Sequence, residues 1–171
     1  MDDFARTHLA PLSPGILLAL LSTLYGFALG ALFGALESGF KPMLRRRANA
    51  VLETVYGGDE ERREAVVSKG WKYIIRAHIH GGAIGTSALA SILLLSLLGV
   101  PGLLERLSAL AFGAGALIYS IFWLLAGFRA ADVGAPKQAK ESLWFVAMPG
   151  AGLCIAGLLG TILSLLIHLG A

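Results

Sequence analysis

The chain has 171 residues, of which 56% are hydrophobic and only 15% charged, well below the roughly one quarter charged residues of ordinary soluble domains. Its mean hydropathy is +0.73 and its net charge +3, with a pI near 9.2, a basic balance that topology alone explains without nucleic-acid binding. The single cysteine, Cys154, excludes an internal disulfide and a cysteine-rich metal motif, the glycines fall inside apolar runs rather than in a phosphate-binding loop, and no serine triad is indicated.

Residues 1–15 read as a short tail broken by Pro11 and Pro14. Four runs without Asp, Glu, Lys or Arg follow, at Ile16–Leu36, Ala77–Val100, Leu107–Phe128 and Leu143–Leu169. Each reaches the roughly 20 residues needed to cross a hydrocarbon core of about 30 Å. None shows the polar face that a helix of a soluble bundle needs. The first run is expected to be retained rather than cleaved, because Asp2 and Asp3 precede it and Lys41 and Arg45-Arg46-Arg47 follow. The expected fold is an all-α, integral-membrane four-helix bundle forming one domain over 1–171, with a helical cytoplasmic segment at 37–76.

That segment is too charged to insert. Pro42 suits a first helical position, Gly57-Gly58 a stop, and Asp59 an N-cap followed by Glu60 and Glu61 in the favourable first turn. Helices are therefore predicted over 42–56 and 59–75, the second continuing into the second span with Gly70 as a kink. Trp71 and Tyr73, with Trp123, Trp144 and Phe145, mark the level of an interfacial aromatic belt. The turn Val100–Arg106 is short enough to make the second and third spans an antiparallel pair. The connection Arg129–Ser142, with Gly134 and Pro136, reads as loop, and Pro149 reads as a kink in the fourth span. Gly39-Phe40-Lys41 and Gly127-Phe128-Arg129 echo one another at the ends of the first and third spans.

Charge sets the expected orientation. Nine Lys/Arg fall in Glu37–Arg76 and three more in Arg129–Ser142, so twelve of fourteen lie on one side. The positive-inside rule assigns that side to the cytoplasm and both termini to the outside, as in a bacterial inner-membrane protein. Contact of this side with anionic lipid follows from the same charge. Small residues recur at four-residue spacing: Gly26, Gly30 and Gly34 in the first span, Gly81 and Gly85 in the second, Gly152, Ala156 and Gly160 in the fourth. Such stripes let helix backbones approach closely, within one chain or in a homo-oligomer or larger membrane complex.

The chemistry-bearing residues collect at the cytoplasmic end: Glu37 on the face of the first glycine stripe, His78 and His80 opening the second span, Arg129 ending the third, Lys140 and Glu141 opening the fourth. His8 and His168 belong to the opposite end. Ionisable groups at a membrane boundary are functional candidates. Residues two apart on a helix diverge by about 200°, so His78 and His80 cannot chelate one ion from a regular helix. His78 is expected on a face with Gly82 and Gly85, and His80 on one with Ile84, Ser87 and Ser91. Three uses compete: structural histidines bonded to Glu37, Glu141 or headgroups; a haem or transition-metal site with His78, His80, Glu37 and Glu141 as ligands; or a proton path through His and Glu.

Arg76-Ala77-His78-Ile79-His80 with Gly85 resembles the Ala-His-x-His-x4-Gly stretch of small membrane proteins related to the haem-copper oxidase group. Gly82-Ala83-Ile84-Gly85-Thr86 is similar to a stretch of nitric-oxide-response haem-copper membrane proteins. The resemblance covers about a dozen residues on one helix. It implies that His78 is an axial haem ligand and that the chain serves a membrane redox system, as a subunit or accessory in electron transport. No other span carries a histidine at this depth, so the haem would be five-coordinate or shared between subunits. A rival resemblance, carried by four spans, the basic inside segment and Arg76-Ala77-His78, is to the membrane-associated eicosanoid and glutathione metabolism family. It implies a transferase in which Arg76, His78 and Arg129 bind glutathione, although His80-Gly81 stands where that family has Asn. Small multidrug transporters share four spans and a glutamate on the first, but theirs lies deeper than Glu37. The remaining alternative is a structural or assembly subunit with no site.

Overall fold

A computed structural model describes residues 2–35 and 39–170. Described residues are helical or in turns, with no strand. Four helices are long and apolar enough to cross a membrane, with mean hydropathies of 1.5 to 2.2 in their most apolar stretches. Helix α1 spans Ser13–Ala35, and short α2 (Phe40–Ala50) and α3 (Leu52–Tyr56) follow. Helix α4 runs from Glu60 to Leu97, α5 from Leu103 to Val133, α6 from Pro136 to Glu141 and α7 from Trp144 to Leu169.

Local chemistry explains the boundaries. Val51, at φ −122° and ψ 20°, separates α2 from α3, which divides the helix predicted over 42–56. Gly57 and Gly58 adopt φ of +64° and +75°, which side-chain-bearing residues rarely adopt, and end α3. The Asp59 carboxylate accepts from the Arg62 N–H at 2.9 Å and starts α4. Helix α4 then continues through Gly70 unbroken. A side chain there would meet the Gly127 carbonyl at 2.8 Å, so this glycine serves close packing of α4 on α5 rather than a kink.

Two expected loops are helical. The tail 1–15 winds through Asp2–Phe4, a π-helical turn at Ala5–Leu9 and a 3-10 turn at Ala10–Leu12 into α1. Pro11 and Pro14 occupy opening positions of their helical segments, where a missing N–H costs little. The connection after the third span is likewise ordered: α5 passes Arg129 to Val133, Gly134 caps it at φ +65°, and α6 follows. Lys140 and Glu141 thus belong to α6 rather than to the fourth span, and α7 continues through Pro149.

Helix α5 is central and packs against α1, α4 and α7; α7 leans chiefly on α5. The interior is small and partly hydroxylic, with Ser22, Ser108, Ser120, Thr161 and Ser164 buried, while Leu24, Phe27, Leu97 and Leu159 are mostly exposed. That inversion suits a surface facing lipid. Helix α1 meets α4 at Gly26 against Gly81 and Gly82, and Gly85 abuts Thr23. Helix α7 uses only Gly160 of the expected stripe: Gly152 and Ala156 are exposed. Gly150, Gly157 and Thr161 pack inward instead, Gly157 against Phe112 and Gly160 against Ser108.

At the basic end, α2, α3, the start of α4, the end of α5 and α6 form a platform around Leu44, Tyr56, Val67, Ile74 and Ala131. Bidentate pairs Arg45–Glu64 and Arg47–Asp132 tie α2 to α4 and α5. The buried Tyr56 hydroxyl donates to the Ala131 carbonyl at 2.7 Å, in the last turn of α5, where no helical N–H serves that group. Burial raises the Tyr56 phenol above its ordinary 10.0. The folded state therefore holds that proton more tightly, and this contribution to stability falls as pH rises above about 10. Tyr56→Phe is expected to cost about 1 kcal/mol, read by chemical unfolding in detergent; an unchanged midpoint would show that the bond contributes nothing.

The opposite end is locked by Glu105, a residue without an evident signal in the sequence. Its carboxylate, 8% exposed, accepts from the Gly102 N–H at 2.9 Å and from the Ser164 hydroxyl of α7 at 2.6 Å. Glu105→Ala leaves the Ser164 hydroxyl buried without this acceptor. It is expected to cost about 2 kcal/mol, measured as a lower unfolding temperature; a wild-type value would mean that glycine packing alone holds α7. His8, bonded to the Ser96 and Gly99 carbonyls, and His168, bonded to the Ser164 carbonyl, lie at this end.

Candidate functional site

The two histidines leave α4 on different sides, as 100° per residue requires. His78 turns to α1. Its Nδ1 lies 2.7 Å from the Gly26 carbonyl oxygen. A carbonyl only accepts, so Nδ1 carries a proton, and in the neutral ring the lone pair is on Nε2. The ring lies over Gly30, where an added Cβ would meet Cε1 at 2.6 Å, and Phe33 packs edge-on at 5.6 Å. Phe33 in turn contacts Phe40 and Trp71. The first glycine stripe therefore serves two purposes: Gly26 approaches the backbone of α4, and Gly30 makes room for an imidazole. Gly34, third in the stripe, meets nothing within 4 Å among the described residues.

His78 also heads a groove of about 650 Å³ between α1 and α4. Phe27 lines one side; Ile79, Gly82, Ala83, Thr86 and Ala90 line the other. Gly82 is open, with nothing within 4 Å of a Cβ placed there. The Thr86 and Ser87 hydroxyls donate to the Gly82 and Ala83 carbonyls within α4. The groove thus presents mainly apolar surface, with one nitrogen base at its end. Gly82 lines the groove with His78, and Gly85, like His78, turns to α1, as expected; Ser87 departs from expectation, belonging to the His78 groove rather than to a path from His80.

His80 turns to α5. Its ring stacks on Tyr119 at 5.4 Å and meets Trp123 edge-on at 5.9 Å. Trp123 and Tyr73, expected at the lipid interface, are core residues at 8% and 2% exposure, packed together with Phe122 and Ala77. Trp144 and Phe145 are exposed, as a belt requires.

The other candidates stand apart. Arg129 donates to the Ser142 hydroxyl at 2.6 Å, and exposed Glu141 pairs with Lys137. Glu37 lies outside the described residues. Arg76 lies over the Trp123 ring, on the α5 side. Arg76, His78 and Arg129 thus occupy three environments rather than one anion site. Among the described residues, no three His, Cys, Asp or Glu side chains come together as a metal-ligand group.

Phe27 and Phe33 shape the His78 site without any signal in the sequence, and Gly30 does so in a role its spacing did not specify. The stripe containing Gly30 was visible, but glycine spacing marks a packed face without saying what packs on it. No family model, curated protein or solved structure matches the chain.

Proposed function

We propose that the protein is a small integral-membrane subunit or accessory of a redox system, with His78 as the ligand of a haem or transition metal. The observation that carries this reading is the Nδ1–H bond from His78 to the Gly26 carbonyl. Ligating histidines characteristically donate their second ring nitrogen to a carbonyl or carboxylate, which fixes the tautomer and raises the basicity of the ligating nitrogen. Here that arrangement heads an apolar groove with an open glycine face, dimensions that suit a flat, bulky, apolar cofactor better than a hydrated ion. When bound, haem would supply one-electron chemistry; the chain's own part is to fix the imidazole and exclude water.

Within one chain His80 faces away from this groove, so a second histidine ligand would come from another copy, and a homo-oligomer or larger complex belongs to the proposal. Carboxylate ligation by Glu37 or Glu141 belongs to the metal form of the same proposal. The basic platform lies in the cytoplasm, with both termini outside in a bacterial inner membrane, on the strength of the twelve basic residues at one end.

The test is an absorbance spectrum of the purified full chain together with elemental analysis. A Soret band, or a transition metal stoichiometric with the chain or with a pair of chains, is expected. Absence of both from protein produced with haem and metals in supply overturns the proposal.

A further inference from the structure

Two groups of positive charge stand out among those of the basic end. Arg45, Arg47, Arg63 and Lys137, on the platform, pair with carboxylates. Arg76 and Lys140, nearest the apolar part of the bundle, have no carboxylate within 4.0 Å among the described residues and lie over aromatic faces instead. The Arg76 guanidinium is 4.9 Å from the Trp123 ring centre and 5.8 Å from that of Tyr73. The Lys140 ammonium is 5.8 Å from the same Tyr73 ring. Two cations on α4 and α6 thus converge on one aromatic platform without a counter-ion.

A second, independent observation lies beneath them. Trp123 is 8% exposed, and its indole Nε1–H has no hydrogen-bond partner among the described residues. A buried donor left unpaired is costly and calls for a ligand or water. The surrounding chemistry selects the ligand's sign, since guanidinium, ammonium and indole N–H only donate. The neighbouring surface also selects its body. Leu143, just before α7, and Val146 and Ala147 of α7 close on the Trp123 cluster, while Trp144, Phe145 and Met148 on the same turns are exposed. An anionic group that enters here brings apolar surface alongside it.

We propose that Arg76, Lys140 and Trp123 form a binding site for a phosphate group, carried as the head of an anionic phospholipid, where α4, α5, α6 and the start of α7 meet. Its phosphate oxygens accept from the three donors, and its acyl chains lie along the exposed apolar residues of α7. The site is on the opposite side of α4 from the His78 groove and is independent of any cofactor there.

Native mass spectrometry of the full chain in detergent tests this with dioleoyl phosphatidylglycerol, dioleoyl phosphatidylcholine and inorganic phosphate as separate probes. The wild-type chain is expected to retain phosphatidylglycerol in preference to phosphatidylcholine. Each basic residue near a membrane surface contributes about five-fold in affinity, so R76Q/K140Q is expected to weaken phosphatidylglycerol binding roughly 25-fold. A control that removes the same charge elsewhere, R46Q/K69Q, is expected to leave this binding within about two-fold of wild type, because a short-range site is screened from distant charge. Trp123→Phe keeps an aromatic face for the cations but removes the donor, and is expected to cost about ten-fold. It also serves if the double variant fails to fold. Equal retention of the two lipids, or equal loss in the charge control, overturns the proposal. Retention of inorganic phosphate with the same dependence on Arg76 and Lys140, and no preference for lipid, retains the anion site and overturns the lipid as its occupant.

Discussion

His78→Ala is expected to abolish the Soret absorbance of the purified protein, whereas His80→Ala is expected to preserve most of it. The contrast follows from the opposite directions of the two rings. His78 lines the groove and has its Nδ1 tied to the Gly26 carbonyl, so its loss removes the nitrogen proposed as ligand and the contact that orients it. His80 is stacked against Tyr119 and Trp123, away from that groove. The variant is also expected to fold: Gly26 is inside α1, where its carbonyl has a helical partner besides His78. The space vacated above Gly30 is the size of the ring that left it. Added imidazole should therefore enter it and restore part of the band, which a merely unfolded variant would not allow. If His78→Ala keeps full absorbance, another residue is the ligand; if His80→Ala alone loses it, the assignment of the two histidines is reversed.

The second large effect concerns packing. Gly26→Val and Gly34→Val change the same residue type on the same helix, eight residues apart, yet they are expected to differ greatly in stability. A Cβ at Gly26 would fall on the backbone nitrogen of Gly82 and lie 2.8 Å from the Gly81 carbonyl carbon. Neither backbone atom can swing aside like a side chain, so α1 must move off α4. Overpacking of this kind costs about 1–3 kcal/mol and occasionally more. At Gly34 no described residue lies within 4 Å, and the change is expected to stay within about 0.5 kcal/mol. Thermal unfolding of both variants in one detergent decides this. Similar losses would show that valine acts through helix propensity or detergent contact rather than through the α1–α4 interface.

That pair also shows where sequence reasoning stops. Four uncharged runs, the Gly57-Gly58 stop and the Asp59 cap were readable because each depends on local chemistry: length against bilayer thickness, positive φ, an oxygen three residues before an unpaired N–H. Continuity of α4 through Gly70 was not, because glycine in a helix can bend it or admit a neighbour, and Gly127 decides which. The tail before Ile16 was misread for a related reason, since proline breaks a helix interior yet suits an opening turn. At the site, the divergence of His78 and His80 followed from helical periodicity alone. Their partners did not. A main-chain carbonyl such as that of Gly26 has no residue-specific signature, and Trp123 carries the same letter in a core as in an interfacial belt. Arg129 and Glu141 were grouped with the histidines by depth, but depth fixes one coordinate of three, and their bonds to Ser142 and Lys137 lie elsewhere on the basic end.

The unbroken helix from Glu60 to Leu97 has a mechanical consequence. Thirty-eight residues at 1.5 Å each make a rod of about 57 Å, nearly twice the thickness of a hydrocarbon core of about 30 Å. Its first third is clamped in the basic platform, and its remainder carries His78 on one side and His80 on the other. With no break between them, the rod works as a lever. A tilt or twist of the platform would turn the His78 ring against Gly26 and Gly30 in the same movement, by rigid-body rotation and without any chain of side-chain rearrangements between them.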